Sequence, residues 1–213
     1  GDNIELSKIM LAINRETLTQ SCECSLMDAL YALCGDLFAL TETEKMTYGK
    51  RALSVLNDDE ESLFYANANL TLGQLCASQN LYRDAADYFQ TAHAVFGGLD
   101  CVFLMILADV NRLINLFKLG AYHTVIDDAN RAIHRFASFT TIEAKSENED
   151  EPLHTIYHLP IGMSLVEMGK LDLSLHHLNK TRDTFEKLAF FHMHGLVEWT
   201  YLKALFLKKS YPS

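Results

Sequence analysis

Proline is nearly absent from this chain, with three residues in 213 at Pro152, Pro160 and Pro212, and glycine is scarce at ten. Both residues interrupt helices, so their rarity leaves room for long regular elements. Long apolar runs are missing too. The longest, Cys101 to Ala108, stops at Asp109, well short of the roughly 18 residues of a membrane span, and nothing resembles a signal peptide. Positive charge is in deficit: 18 basic against 28 acidic residues give a formal net charge of −10. A duplex-binding surface needs clustered Lys and Arg, so direct nucleic-acid contact by this segment is excluded. The five cysteines, Cys22, Cys24, Cys34, Cys76 and Cys101, are odd in number and scattered. They form no disulfide framework, and a reducing, cytoplasmic setting is expected. The lone C-x-C has no second pair to complete a zinc site.

Chemistry is also sparse. There is no G-x-x-x-x-G-K-[ST] phosphate loop and no G-x-S-x-G nucleophile turn. Positions such as Cys76 fall on apolar helix faces, where buried structural thiols are common. Nine histidines are present. His154 and His158 stand four apart on one helix, His176 and His177 are adjacent, and His192 and His194 flank a Met. Only the first pair has ligand-like helical spacing, and Thr155 stands where a zinc-peptidase helix carries Glu. We therefore expect no metal, no cofactor and no catalysis by this segment.

What the chain does have is self-similarity. In "LYRDAADYFQTAHAVF", residues 81 to 96, Ala85, Phe89 and Ala92 share one helical face. Its ending "TAHAVF" is matched forty residues earlier by "RALSVL" and forty later by "RAIHRF". Ala52, Ala92 and Ala132 coincide, as do Leu56, Phe96 and Phe136. A fourth copy, "KTRDTF" at 180 to 185, follows after 49 residues with Thr181 in place of Ala. The acidic stretch around Glu147 to Glu151 takes up the extra length as a solvated loop. A second marker keeps the register: Asn80, Gly120 and Gly169, each followed after one residue by a large apolar residue. Asn and Gly tolerate the left-handed conformation that closes a helix. Seven residues before each stands Gly73, Leu113 or Gly162.

A period of about 40 residues signals a helical solenoid. The spacing predicts helices over 3–18, 25–40, 42–56, 60–79, 82–97, 101–119, 122–138, 153–168, 171–188 and 191–209. Thr41 and Glu44 suit a capping box, Asp100 an N-cap and Pro152 a first turn. Pro160 predicts a kink or a broken start within its helix. Gly73 and Ala85 would let two antiparallel helices approach, with Phe89 filling the groove and Ala92 admitting the next repeat.

These offsets resemble the tetratricopeptide pattern, whose usual repeat is about 34 residues. The longer period, carried by "GKRALSVLNDDEESLFYANANLTLGQLCASQNLYRDAADYFQTAHAVF" and "PIGMSLVEMGKLDLSLHHL", is similar to the helical sensor region of the MalT-like, large ATP-binding LuxR-family transcriptional regulators. The resemblance covers about residues 45 to 209. It implies an all-α, right-handed superhelical solenoid of tetratricopeptide-like helix pairs over 1–213, with an irregular cap at 1–40, repeats over about 41–209 and an insertion loop at 139–151. It implies an excised piece of a regulator whose ATPase would precede it and whose DNA-binding domain would follow. The segment itself would bind an inducer, such as a sugar, or a partner protein, and could self-associate. The alternative is a generic tetratricopeptide-like scaffold holding a peptide or partner protein. The repeats diverge in detail: Val125 and Ala129, then Ser174 and Leu178, replace Ala85 and Phe89.

In such superhelices the first helix of each pair lines the concave side. There the polar stripes suggest a ligand site: Asn67, Thr71 and Gln74 (with Ser78), then Asn111, Asn115 and Lys118, then Glu167, and Lys203 with Thr200. Trp199, the only tryptophan, with neighbouring Tyr201, would supply a stacking ring.

Overall fold

A computed structural model describes residues 41–56, 62–143, 153–187 and 191–210. All regular structure among them is helical. The helices are α1 (Glu42–Leu56), α2 (Leu63–Ser78), α3 (Tyr82–Gly98), α4 (Val102–Lys118), α5 (Tyr122–Glu143), α6 (His158–Glu167), α7 (Leu171–Lys187) and α8 (Phe191–Ser210), with a 3₁₀ turn at Leu153–Tyr157 before α6. The expected helices at 3–18 and 25–40, the C-x-C, Pro152 and the acidic run lie outside the described residues. None of the described helices is long and apolar enough to cross a membrane. The chain divides into two compact units, Gly1–Asp109 and Val110–Ser213.

Helix ends set the period. At α1, Glu44 Oε2 accepts the Thr41 N–H at 2.9 Å and the Thr41 hydroxyl accepts the Glu44 N–H at 3.3 Å, completing the capping box. Ser62 caps α2 through the Tyr65 N–H at 3.1 Å. Four helices then close in the same way. Asn80, Asp100, Gly120 and Gly169 take positive φ of 60°, 56°, 79° and 74°. At each, two backbone bonds turn back onto the helix. After α2 they are Asn80 N–H to Ala77 and Leu81 N–H to Cys76; after α6, Gly169 N–H to Val166 and Lys170 N–H to Leu165. This is the Schellman pattern, which satisfies carbonyls that the helix leaves open. Asp100 therefore does not cap α4, as its residue type suggests; it is the left-handed residue that closes α3, and Cys101 precedes Val102. With it, left-handed turns fall at 80, 100 and 120. The 40-residue period is two equal helix-plus-turn halves.

In the first unit, α2 packs against both α1 and α3. A Cβ at Gly73 would stand 2.8 Å from the Phe89 ring, so only glycine leaves space for that ring. Phe89 is buried with Ala85 and Cys76, against which Leu70 and Ala77 pack. Ala66, Ala92, Phe96 and Ala108 form the adjoining cluster, again with Leu70. Burial of a ring such as Phe89 contributes roughly 1.5–3 kcal/mol. On the other side of α2, Leu72 lies over Gly49 of α1.

The second unit repeats the contact with different residues. A Cβ at Gly162 of α6 would stand 2.7 Å from Leu178 of α7, and the Ser174 hydroxyl donates to the Gly162 carbonyl at 2.9 Å. At the matching positions of α4 and α5 the sizes are reversed: Leu113 and Ala129, both fully buried. The repeated markers are core except at the first copy's end: Ala52, Ala92, Ala132 and Thr181 are buried, as are Phe96, Phe136 and Phe185, whereas Leu56 is half-buried. Phe136 stacks on Tyr157 at 6.0 Å. One sequence expectation is met here and one needs correction. The helix over 153–168 has the broken start that Pro160 predicts: a 3₁₀ turn ends at Tyr157 and α6 begins at His158, which puts Pro160 in a first turn, where its missing N–H costs nothing. And α5 runs on to Glu143, into the range expected to be a loop from 139.

The size exchange at this contact makes a prediction. Gly162→Leu should destabilise the chain by about 1–3 kcal/mol through overpacking. Adding Leu178→Ala, which reproduces the Leu113–Ala129 arrangement, should recover a large part of that loss. Urea melts of the two single variants and the double variant check it; strict additivity would contradict the packing.

Candidate ligand groove

In the second unit the carboxyl-terminal ends of α4 and α6 and the middle of α8 enclose a groove of about 660 Å³. It is lined by Phe117 and Lys118 of α4, by Met163, Val166 and Glu167 of α6, and by Gly195, Leu196, Trp199, Thr200 and Lys203 of α8. By the sequence register all three stand at the same position of the repeat. Phe117 and Lys118, and again Val166 and Glu167, are the residues just ahead of a left-handed turn. The turn geometry is what delivers an apolar and a charged side chain to the same place in successive repeats.

The groove has an apolar floor and a charged rim. Met163 and Val166 are buried, whereas the Trp199 ring is 63% exposed. Lys203 Nζ sits 5.7 Å from the centre of that ring and pairs with Glu167. Both side chains of the pair keep about a third of their surface in water, so the bridge contributes at most about 1 kcal/mol and can be rearranged cheaply. Lys118 Nζ lies 5.9 Å from the Phe117 ring. An open aromatic face beside one carboxylate and two ammonium groups can stack a ring and exchange hydrogen bonds with hydroxyls.

Of the nine residues singled out in the sequence, Lys118, Glu167, Trp199 and Lys203 meet in this groove. Asn111 and Asn115 lie on α4 but do not line it; Asn115 is buried and its amide donates to the Asn111 carbonyl at 2.8 Å. Asn67, Thr71 and Gln74 lie on α2 in the first unit, where the Asn67 amide donates to the Leu63 carbonyl at 2.9 Å. Thr200 is nearly buried, and its hydroxyl donates to the Leu196 carbonyl at 2.7 Å. Phe117 and Val166 escaped the sequence reading, which sought polar stripes. Their shared register before Gly120 and Gly169 was the signal that could have found them.

The histidines come together differently from the sequence spacing. One turn outward along each antiparallel helix from the Ser174–Gly162 bond stand His177 and His158, with Nδ1 atoms 2.9 Å apart. Their rings meet edge-on at 4.9 Å, and His176 adds a second edge contact to His177 at 5.7 Å. Among the described residues, no three His, Cys, Asp or Glu side chains are grouped to hold a metal ion. Cys76 is buried against Phe89, and burial followed by the charge of Asp84 pushes its thiol up, away from the thiolate.

Burial, then the neighbouring His177 and Lys180, with smaller contributions from His154 and His176, lowers His158 to about 4; burial, then His176 and Lys180, lowers His177 to about 4. The unfolded chain takes up these protons near the ordinary value of about 6.5, and the folded chain resists them. Stability from this pair is therefore complete above about pH 6.5 and falls as pH drops toward 4. Replacing His177 by Asn should flatten the stability curve across that window, as measured by urea melts at a series of pH values.

Comparison with known proteins gives no match to a family model, a curated protein or a solved structure.

Proposed function

We propose that this chain is the inducer-sensing and protein-interaction domain of a MalT-like, LuxR-family transcriptional regulator, built as a right-handed tetratricopeptide-like superhelix and working in the cytoplasm. The observation that carries the reading is the groove. Three successive first helices line it, as the concave side of such a superhelix requires, and it holds the only tryptophan beside a Glu–Lys pair. The residues there suit a small polar molecule with a flat apolar face, a sugar foremost. Trp199 stacks against the ring face, while Glu167, Lys203 and Lys118 receive the hydroxyls.

The mechanism is a population shift. The inducer binds better to one arrangement of the repeats than to another, and the difference in affinity is what it transmits to an adjoining ATPase and DNA-binding domain. The weak, partly exposed Glu167–Lys203 bridge joins α6 to α8 across the groove. A ligand that takes over either partner changes how those helices are tied. The acidic balance of the chain leaves DNA contact to another domain.

A thermal-shift screen against sugars and other polar metabolites tests this proposal. A ligand at 100 times its dissociation constant should stabilise the fold by about 2.7 kcal/mol. Trp199→Ala should abolish the shift with little effect on the unliganded melting temperature, because the ring is mostly exposed. A screen without any hit contradicts an inducer site, and a hit unaffected by Trp199→Ala places it elsewhere.

A further inference from the structure

The outward face of α8 is apolar and open. Trp199, Leu202, Leu205 and Phe206 lie on it, with Leu202 62% and Phe206 69% exposed. The repeat register says what such a face does. Leu202 is 40 residues beyond Gly162, as Leu113 is 40 beyond Gly73. The four α8 residues therefore stand at the positions of Leu70, Gly73, Cys76 and Ala77 on α2. In α2 those positions form the seat of the second helix of the pair: Gly73 faces Phe89, while Leu70, Cys76 and Ala77 pack in the cluster around Phe89 and Ala85. On α6 the same positions are Leu159, Gly162, Leu165 and Val166, all buried, and Gly162 receives Leu178. Among the described residues, it is on α8 that these positions are exposed. The opposite side of α8, with Val197 and Ala204 buried, matches Ala68 and Leu75 of α2, which are buried too.

We infer that this face is a docking seat for one amphipathic partner helix from outside these 213 residues, received in the manner of a second helix of a pair. The interface is continuous with one the chain already makes, so its chemistry can be specified. The seat offers a leucine where α2 and α6 offer glycine. The precedent for a large residue there is Leu113, whose counterpart in the α5 register is the small Ala129, both of them buried. The incoming helix therefore carries a small residue opposite Leu202, with apolar residues one turn to either side. Gly195, one turn before Trp199 and itself at the groove, has open space where a Cβ would stand. The last turn of α8 carries Lys208 and Lys209. An antiparallel helix brings its first turn there, and α3 and α7, though not α5, place an acid in that turn, Asp84 and Asp172. Lys208 already pairs with Asp172. The partner is thus an amphipathic helix that is small in its middle, as α5 is at Ala129, and the basic end of α8 favours an acid near its amino-terminal end. This seat does not depend on the sensor reading, but it shares Trp199 with the groove, so a docked helix and a groove ligand compete for that ring.

The test uses the full chain and a side-chain-stapled helical peptide of residues 122–136, "YHTVIDDANRAIHRF", which carries the α5 face. Stapling offsets the poor helicity of so short a segment. Binding should shift Trp199 emission to the blue. Leu202→Asp in the chain, at an exposed position that the fold tolerates, should weaken binding at least tenfold. Ala129→Phe in the peptide should do the same, because a large residue cannot face Leu202. Equal binding by a scrambled peptide, or no binding, overturns the inference. Self-association of the chain that Leu202→Asp abolishes also overturns it, in favour of a second copy. Sugar binding in the groove should be unchanged by Leu202→Asp, so failure here is distinguishable from failure of the sensor reading.

Discussion

The structure depends on how closely two antiparallel helices can approach at the middle of each pair. One side chain must be absent for the other to be present. Gly73 makes room for Phe89, and Gly162 for Leu178. The contact brings helices together only if they are in register, and the register comes from the left-handed residues at 80, 120 and 169 that fix where each first helix ends. Turn and contact are separate constraints, and their agreement at both pairs is the consistency that marks a sequence folding to one structure.

The site inherits its geometry from the same constraints. Ending every first helix at the same turn puts equivalent residues of α4 and α6 side by side, which is why Phe117–Lys118 and Val166–Glu167 reach one groove. Packing also decides the fate of the histidines. His158 and His177 are forced together by the antiparallel pairing that Gly162 and Ser174 set, and their burial makes them a source of acid sensitivity. The exposed face of α8 stands at the same register positions as the pairing surfaces of α2 and α6.

Much of this was legible in the sequence because small and left-handed residues report backbone geometry directly. The Ala and Phe markers, the Asn80, Gly120 and Gly169 turns and the limits of α1 could be read from spacing. Asp100 was misread because its side chain suits an N-cap equally well; only the backbone distinguishes the two uses. The apparent degeneracy of Leu113 and Ala129 hid a preserved sum of sizes, which residue-by-residue comparison cannot see. The break before His158 was half visible through Pro160, whose residue type marks a helix start but not the 3₁₀ turn that leads to it. For the groove, charge and the single Trp were visible, whereas polar spacing alone did not separate Lys118 from Asn115, which turns inward to its own helix.

The central claim is that the groove of α4, α6 and α8 receives a small polar ligand on the Trp199 ring. Fluorescence titration is the most direct measurement, since Trp199 is the only tryptophan in the chain. The account predicts a saturable change in its emission with at least one sugar, lost when Glu167 and Lys203 are both replaced by Ala. Emission that stays constant across the sugars, or a change that survives the double replacement, would contradict it.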